Sequence, residues 1–231
     1  MFDLILDLQS KIRNTIILKK IPHLEFYSPC FNYFFCSKKR NYQSLSHLDN
    51  ISKLLDQKIN FIDFNVNDLS SKYFDEAKKL LPGKNYIGLS ITQGNKYRKK
   101  TWKLENFIDL SKILIQKNKF PVFFVEKNNI DLIDKIKKKV PDALFPESVS
   151  KINSPVLVTT LATRLEKAIT VDNGVMHMMA LANIPMIVLF GPTNSHKFAP
   201  KNNYTKILDS KKIYNTSDIE SITVDDVYDL I

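Results

Sequence analysis

The segment Ala168 to Pro200, AITVDNGVMHMMALANIPMIVLFGPTNSHKFAP, brings an acid, a glycine and an imidazole close together in an apolar stretch. Asp172 follows the short, mostly apolar run Ala168–Val171, Asn173-Gly174 comes next, and His177 lies three positions further on. If a helix opens at Gly174, its free N–H groups and positive dipole end suit a phosphate. His177, in the first turn, can reach the same anion. Asp172 also has a plainer use as the helix N-cap. His177 likewise has one, as a hydrogen-bonded core histidine.

The flanking residues set the elements. Ala168–Val171 is a short strand, and Asp172-Asn173-Gly174 is a turn signal. Val175 to Asn183 is a helix with Met, Leu and Ala on all sides, which predicts that it is largely buried. Asn183-Ile184-Pro185 stops it. Met186–Phe190 is a continuous apolar run, the pattern of a strand buried on both faces, and Gly191-Pro192-Thr193 turns the chain. Strand, helix and strand in this order form a parallel, right-handed crossover. Both turns then share the edge outside the carboxyl ends of the strands, where ligands of open α/β sheets bind.

D-N-G-V-M-H-M-M-A-L-A-x-x-x-P, followed by L-F-G-P-T, resembles the signature of the bacterial heptosyltransferases, glycosyltransferase family 9. Asn173 stands where the family usually has Ser or Thr. Lys100-Thr101-Trp102 is similar to the Lys-x-Trp of the family, with Lys103 in place of its Pro. The resemblance implies a GT-B-type α/β fold with two Rossmann-like parallel-sheet domains. It implies transfer of heptose from an ADP-sugar to the inner core of lipopolysaccharide, with inversion, and neither metal nor cofactor. Lys100 would face the donor diphosphate, with Thr92 and Gln93 as hydrogen-bond partners. Asn173, Gly174 and His177 would stabilise the leaving phosphate, and Asp172 would contact the sugar or orient the loop. The resemblance directs Glu126 toward the adenosine and assigns none of these residues as the catalytic base.

Asp3–Gln9 and His47–Leu55 look like elements of the family's N-terminal, acceptor-side domain. The family's first strand and Gly-containing loop, which carries its catalytic Asp, would precede Met1. The N-terminal domain is therefore expected to be incomplete. Residues 1–82 form that domain and residues 83–231 the nucleotide-sugar-binding domain, divided at Pro82-Gly83. Two other readings stay open. One is a non-catalytic nucleotide-sugar-binding fragment or subunit. The other is a sugar-nucleotide epimerase of the same architecture, for which no second acid–base set is visible.

The remaining residues alternate strand and helix, as in a doubly wound sheet. Phe2–Leu8 is a strand and Lys11–Ile21 a helix. Leu24–Tyr27 is a strand, and His47–Gln57 a helix with Leu48, Ile51, Leu54 and Leu55 in register. Lys58–Asn65 is strand-like, and Asp68–Leu81 is an amphipathic helix. Tyr86–Ile91 and Pro121–Val125 are strands around a helix from Trp102 to Lys117, in which Trp102 is a core anchor. Asp131–Val140 is a Lys-rich helix. Pro155–Thr163 is mostly apolar and leads into a helical turn carrying Arg164, Glu166 and Lys167. Lys206–Leu208 is an edge strand. Ile222–Ile231 closes as a helix with Thr223 as N-cap. The aromatic and basic stretch PCFNYFFCSKKRNY, from Pro29 to Tyr42, is a loop with core anchors or a surface for an acceptor or a membrane.

With 231 residues and a net charge of +10, the chain has room for two small domains or one large one. Its lysines are scattered, the pattern an AT-rich coding sequence yields. The excess also suits diphosphates and an anionic membrane surface. No single basic stripe argues for nucleic acid. Cys30 and Cys36 lack metal-ligand or redox spacing, which fits a reducing cytoplasm. No stretch is long and apolar enough to span a bilayer, and FDLILDLQS has no basic n-region of a signal peptide. The expected location is cytoplasmic and peripheral at the inner face of the inner membrane, where a lipopolysaccharide core or lipid A-type acceptor would be met.

Overall fold

The structure, a computed structural model, describes residues 1–42, 47–59, 64–91 and 100–231. The chain divides into two compact units, Met1–Asp63 and Phe64–Ile231. The first holds β1 (Phe2–Leu6), α1 (Ile12–Lys19), β2 (His23–Tyr27) and α2 (His47–Leu55). The second begins with α3 (Ser71–Leu80), β3 (Tyr86–Ser90), α4 (Leu104–Gln116), β4 (Phe120–Phe124), α5 (Ile130–Lys139), α6 (Pro146–Val149) and α7 (Pro155–Ala162). It continues through β5 (Lys167–Val171), α8 (Gly174–Ala180), β6 (Met186–Phe190), α9 (Ser195–Phe198), β7 (Thr205–Asp209), α10 (Ser210–Ile213) and α11 (Val224–Tyr228).

The five strands of the second unit are parallel, in the order β4-β3-β5-β6-β7. From β3 the chain steps outward to β4, then returns to β5 on the other side and continues to β6 and β7. The order thus reverses between β3 and β5, the place where such sheets bind ligands. Side chains alternate across the sheet, as a period of two requires. Ile87, Leu89, Ile169, Val171, Ile187 and Leu189 face α4, α5 and α11, with Phe107, Leu110, Ile133 and Val227 in the same core. Tyr86, Ala168, Met186, Val188 and Phe190 face the other way, onto Leu157 and Leu161 of α7 and Met176 and Met179 of α8. Both faces are covered, which is why MIVLF in β6 is apolar throughout.

The sequence divides the chain at Pro82-Gly83, whereas the compact units meet at Asp63 and Phe64. Helix α3 makes the difference. Its Ala77, with Leu81 just beyond its end, is fully buried in the core that holds Leu157 and Leu161. The Thr160 hydroxyl donates to the Tyr73 carbonyl at 3.2 Å, and Arg164 Nε to the Leu81 carbonyl at 3.1 Å. Pro82-Gly83 is therefore a turn inside the second unit.

Two other expectations need correction. Pro155–Ala162 is itself helix α7, and Lys167 already belongs to β5. Ser154 caps α7 by accepting from Val156 N, and Pro155 occupies its first turn. This start signal outweighs the β-branched content of VLVTT. Helix α8 is shorter than Val175–Asn183, and only Met176 and Met179 are buried on it. The strand-like Lys58–Asn65 falls partly outside the described residues, and what is described of it contains no strand.

In the first unit β1 and β2 pair in parallel across α1. Asp7, just after β1, is buried and accepts from the hydroxyls of Thr15 on α1 and Ser28 after β2, the latter at 2.8 Å, and from Gln9 N at 3.1 Å. Burial acts to raise this carboxyl, but the hydrogen bonds outweigh it and hold it below its ordinary value. Tyr27, Cys36, Tyr42, Ile51 and Leu54 form this unit's core. Both cysteines are free and buried.

Candidate functional site

The crossover β5–α8–β6 brings several of the sequence-selected residues to one sheet edge. Asp172 leaves the end of β5 and is 8 % exposed. The Lys100 ammonium makes an ion pair with Asp172 Oδ2, and the Thr193 hydroxyl donates to the same oxygen at 2.7 Å. Lys100 enters just ahead of α4 and Thr193 follows β6, so three separate strand exits meet on one carboxylate. The Phe198 ring lies 5.9 Å from Lys100 Nζ. An ammonium fixed in this way is a preorganised positive charge at the ligand edge of the sheet.

Asn173, not Asp172, caps α8. Its side-chain oxygen accepts from Met176 N at 2.9 Å, and its Nδ2 donates to the Ser90 hydroxyl at the end of β3, at 2.8 Å. The side-chain amide does both at once because its acceptor oxygen and its donor nitrogen are separate atoms. Gly174 opens the helix and is exposed: among the described residues a Cβ built there would meet nothing within 4 Å. Its φ is not positive, so the backbone there does not demand glycine. What it leaves is an uncovered surface over the first turn. His177 is exposed on α8 and is no core histidine. Thr92 and Gln93 lie outside the described residues.

Trp102 is a core anchor, as its position predicts. It is 2 % exposed, meets Phe107 edge-on, and its indole N–H donates to the Ile222 carbonyl at 2.7 Å. The end of the Lys100 segment is thereby fixed from both sides of the chain.

A cavity of about 390 Å³ adjoins α8, lined by Glu126, Glu147, Ser154, Leu157, Val175 and Met178. Glu126 stands just past β4, on the same edge as Asp172. Glu147, on α6, has its carboxyl pushed up to about 7 by burial, with repulsion from Glu126 adding to it. A larger space of about 940 Å³ opens between α4 and α5 and shares only Glu126 with the first. The smaller one is the better candidate for a bound nucleoside, since α8 supplies part of its wall. Thr193, Ser90 and Glu147 were not singled out from the sequence. Thr193 could have been found, since it closes the L-F-G-P-T turn on the expected edge. Among the described residues no group of three or more His, Cys, Asp or Glu side chains could hold a metal ion. No described helix is long and apolar enough to cross a membrane.

Comparison with solved structures finds the same fold. A glycosyl transferase family 9 protein from Veillonella parvula DSM 2008 superposes with a TM-score of 0.73 at 16% identity, over 99% of this chain and 72% of that one. ADP-heptose lps heptosyltransferase II of E. coli gives 0.69 at 16% identity, over 99% and 75%. E. coli heptosyltransferase WaaC with ADP gives 0.68 at 14% identity, over 99% and 71%. The search of curated proteins gave no match. The family model for glycosyltransferase family 9 (heptosyltransferase) matches residues 1–226. This match spans nearly all of the sequence and includes every residue of the Lys100–Asp172–Thr193 cluster, so the chain belongs to glycosyltransferase family 9, the heptosyltransferases, and is a glycosyltransferase.

Proposed function

We propose that the chain transfers heptose from an ADP-sugar to the core of lipopolysaccharide, with inversion at the anomeric carbon. The observation that carries this reading is the Lys100–Asp172–Thr193 cluster beside the open start of α8. The relatives support the donor: one E. coli structure is described as WaaC with ADP, another as WaaC with ADP-2-deoxy-2-fluoro heptose.

In the proposed reaction an acceptor hydroxyl gives its proton to a general base, a role assigned to none of the residues named here, and attacks the anomeric carbon from the face opposite the diphosphate. The bond from that carbon to the β-phosphate oxygen breaks, and ADP leaves with the electron pair. Negative charge grows on the β-phosphate. Lys100 and the backbone N–H groups at the start of α8, around Asn173 and Gly174, meet that charge with little reorganisation. Asp172 holds the ammonium in place and contacts the sugar or orients the loop. His177, one turn along α8, adds a further donor to the diphosphate. The adenosine occupies the cavity beside α8, with Glu126 accepting from ribose hydroxyls. Thr92 and Gln93 complete the phosphate contacts. The acceptor is met at the inner face of the inner membrane.

Calorimetric titration with ADP-, UDP- and GDP-sugars tests the donor. ADP-heptose should bind tightest, and Lys100→Ala should weaken it by about 10- to 100-fold, the value of a charge-assisted contact. A release assay for ADP, with heptose-deficient lipopolysaccharide as acceptor, tests transfer. Tighter binding of a UDP- or GDP-sugar, or no ADP release with that acceptor, overturns the respective half of the proposal.

A further inference from the structure

The turn after β2 is held in an unusual backbone. Phe31, Asn32 and Tyr33 have φ of 47, 52 and 64° in succession. None is glycine, and bulky residues are rare in this region. Such a turn persists only when its surroundings impose it, and here they are visible. Tyr33 faces inward, 5.1 Å from the Tyr42 ring and 5.9 Å from Tyr27, and its hydroxyl accepts from Asn50 Nδ2 at 3.1 Å. Cys36 is buried, and its N–H donates to the Tyr33 carbonyl at 3.1 Å. Ser37 N donates to the Phe26 carbonyl at 3.0 Å.

With Tyr33 and Cys36 anchored inward, Phe31 and Phe34 point out. They are 68 % and 65 % exposed, among the most exposed large apolar side chains of the molecule. Both rings touch Phe35, with centroids 6.3 and 5.3 Å away, so the rings form one continuous apolar surface. Lys39 lies over the Phe34 ring at 4.8 Å and donates to the Phe34 carbonyl. Lys38 and Arg40 flank it and share Asp56. Lys38 also pairs with Glu25 at 3.5 Å, so these two cations are balanced by two carboxylates and Lys39 leaves the tip one charge positive.

We propose that the tip Phe31–Arg40 is a contact site for an anionic lipid bilayer. Phe31 and Phe34 enter the acyl boundary and Lys39 meets the lipid phosphates. Exposed aromatic side chains backed by basic residues have the composition that interfaces of this kind select, and a contiguous exposed apolar patch marks an interaction surface. The rigid turn lowers the ordering cost of such a contact, because the rings are already presented. The inference rests on the first unit alone and holds whichever sugar is transferred.

The test is flotation of the full chain with vesicles of phosphatidylcholine alone or with phosphatidylglycerol at a fixed fraction. The parent should float with the anionic vesicles and stay behind with the neutral ones. Phe31→Ser/Phe34→Ser should reduce binding by at least about tenfold, and Lys39→Glu by about tenfold through a change of two charges. Lys138→Glu, on α5, should change it little. All three variants alter exposed side chains, and circular dichroism checks that they fold. Parent-like flotation of the double Phe variant, or equal losses from Lys138→Glu and Lys39→Glu, would place binding on diffuse charge and overturn the proposal. So would a parent dimer that the double Phe variant turns into a monomer with vesicle binding unchanged, since the tip would then join two copies of the chain.

Discussion

Lys100 and Asp172 should behave as a pair in any measurement of stability. Both are largely buried, so removing one strands the other. Lys100→Met is expected to cost about 3 kcal/mol, read as a lower urea midpoint, and Lys100→Met/Asp172→Leu should regain part of it. A loss in the double variant equal to the sum of the two single-variant losses would mean that the pair is not coupled. Glu147 gives a pH effect of definite sign. Its folded value of about 7 lies above the ordinary 4.5, so the folded chain keeps a proton that the unfolded chain releases. Its contribution to stability is full below pH 4.5 and falls as pH rises to about 7. The loss should be on the order of 3 kcal/mol. Glu147→Gln should flatten that slope, which urea midpoints at pH 5 and pH 8 would show. These two sites differ in how far the sequence exposes them. Asp172, Asn173, Gly174 and His177 are contiguous, and their order carries the signal. Glu147 looks like any solvated acid until the fold covers it, and Ser90 becomes a partner of Asn173 only once β3 and β5 are paired.

Elements explain which glycine is structural. Gly174 has open space before it, whereas a Cβ at Gly191 would meet Ile219 N at 2.9 Å, Ile219 Cβ at 2.8 Å and the Ser217 carbonyl at 3.0 Å. Backbone atoms cannot swing away as a side chain can. Gly191→Ala should therefore destabilise by about 1–3 kcal/mol, whereas Gly174→Ala should stay within about 0.5 kcal/mol of the parent. Thermal midpoints of the two variants would show the order, and a smaller loss at Gly191 would contradict the close approach. The sequence marks both residues as turn glycines but cannot separate them, since the chain that crowds Gly191 lies more than twenty residues away. The strands of the second unit were legible because they are buried on both faces and bounded by turns. Helix α7 was not, because a run such as VLVTTLA suits a buried strand and a buried helix alike. What decided it was the cap at Ser154.

Across the whole molecule the two units differ in what holds them. The second has a core on each face of a five-stranded sheet, and the first has one small cluster around Tyr27 and Leu54. The first should therefore open at lower denaturant. Trp102 is the only tryptophan and belongs to the second unit. Its fluorescence should change at a higher urea concentration than the first transition in circular dichroism. Coincident transitions would show a single cooperative block. The division into units was the part of the fold least legible in sequence: Pro82-Gly83 is a strong punctuation mark, but only packing reveals that α3 belongs beyond it. The bond from the Trp102 indole to the Ile222 carbonyl has one more consequence. It works as a latch between residues 120 positions apart, one end just past Lys100 and the other at the threshold of α11. Fraying of the last helix and loosening of the lysine are thus linked events, and linkage runs both ways. A ligand that fastens Lys100 also fastens the tail of the protein, so amide protons of α11 become a distant gauge of an occupied donor site.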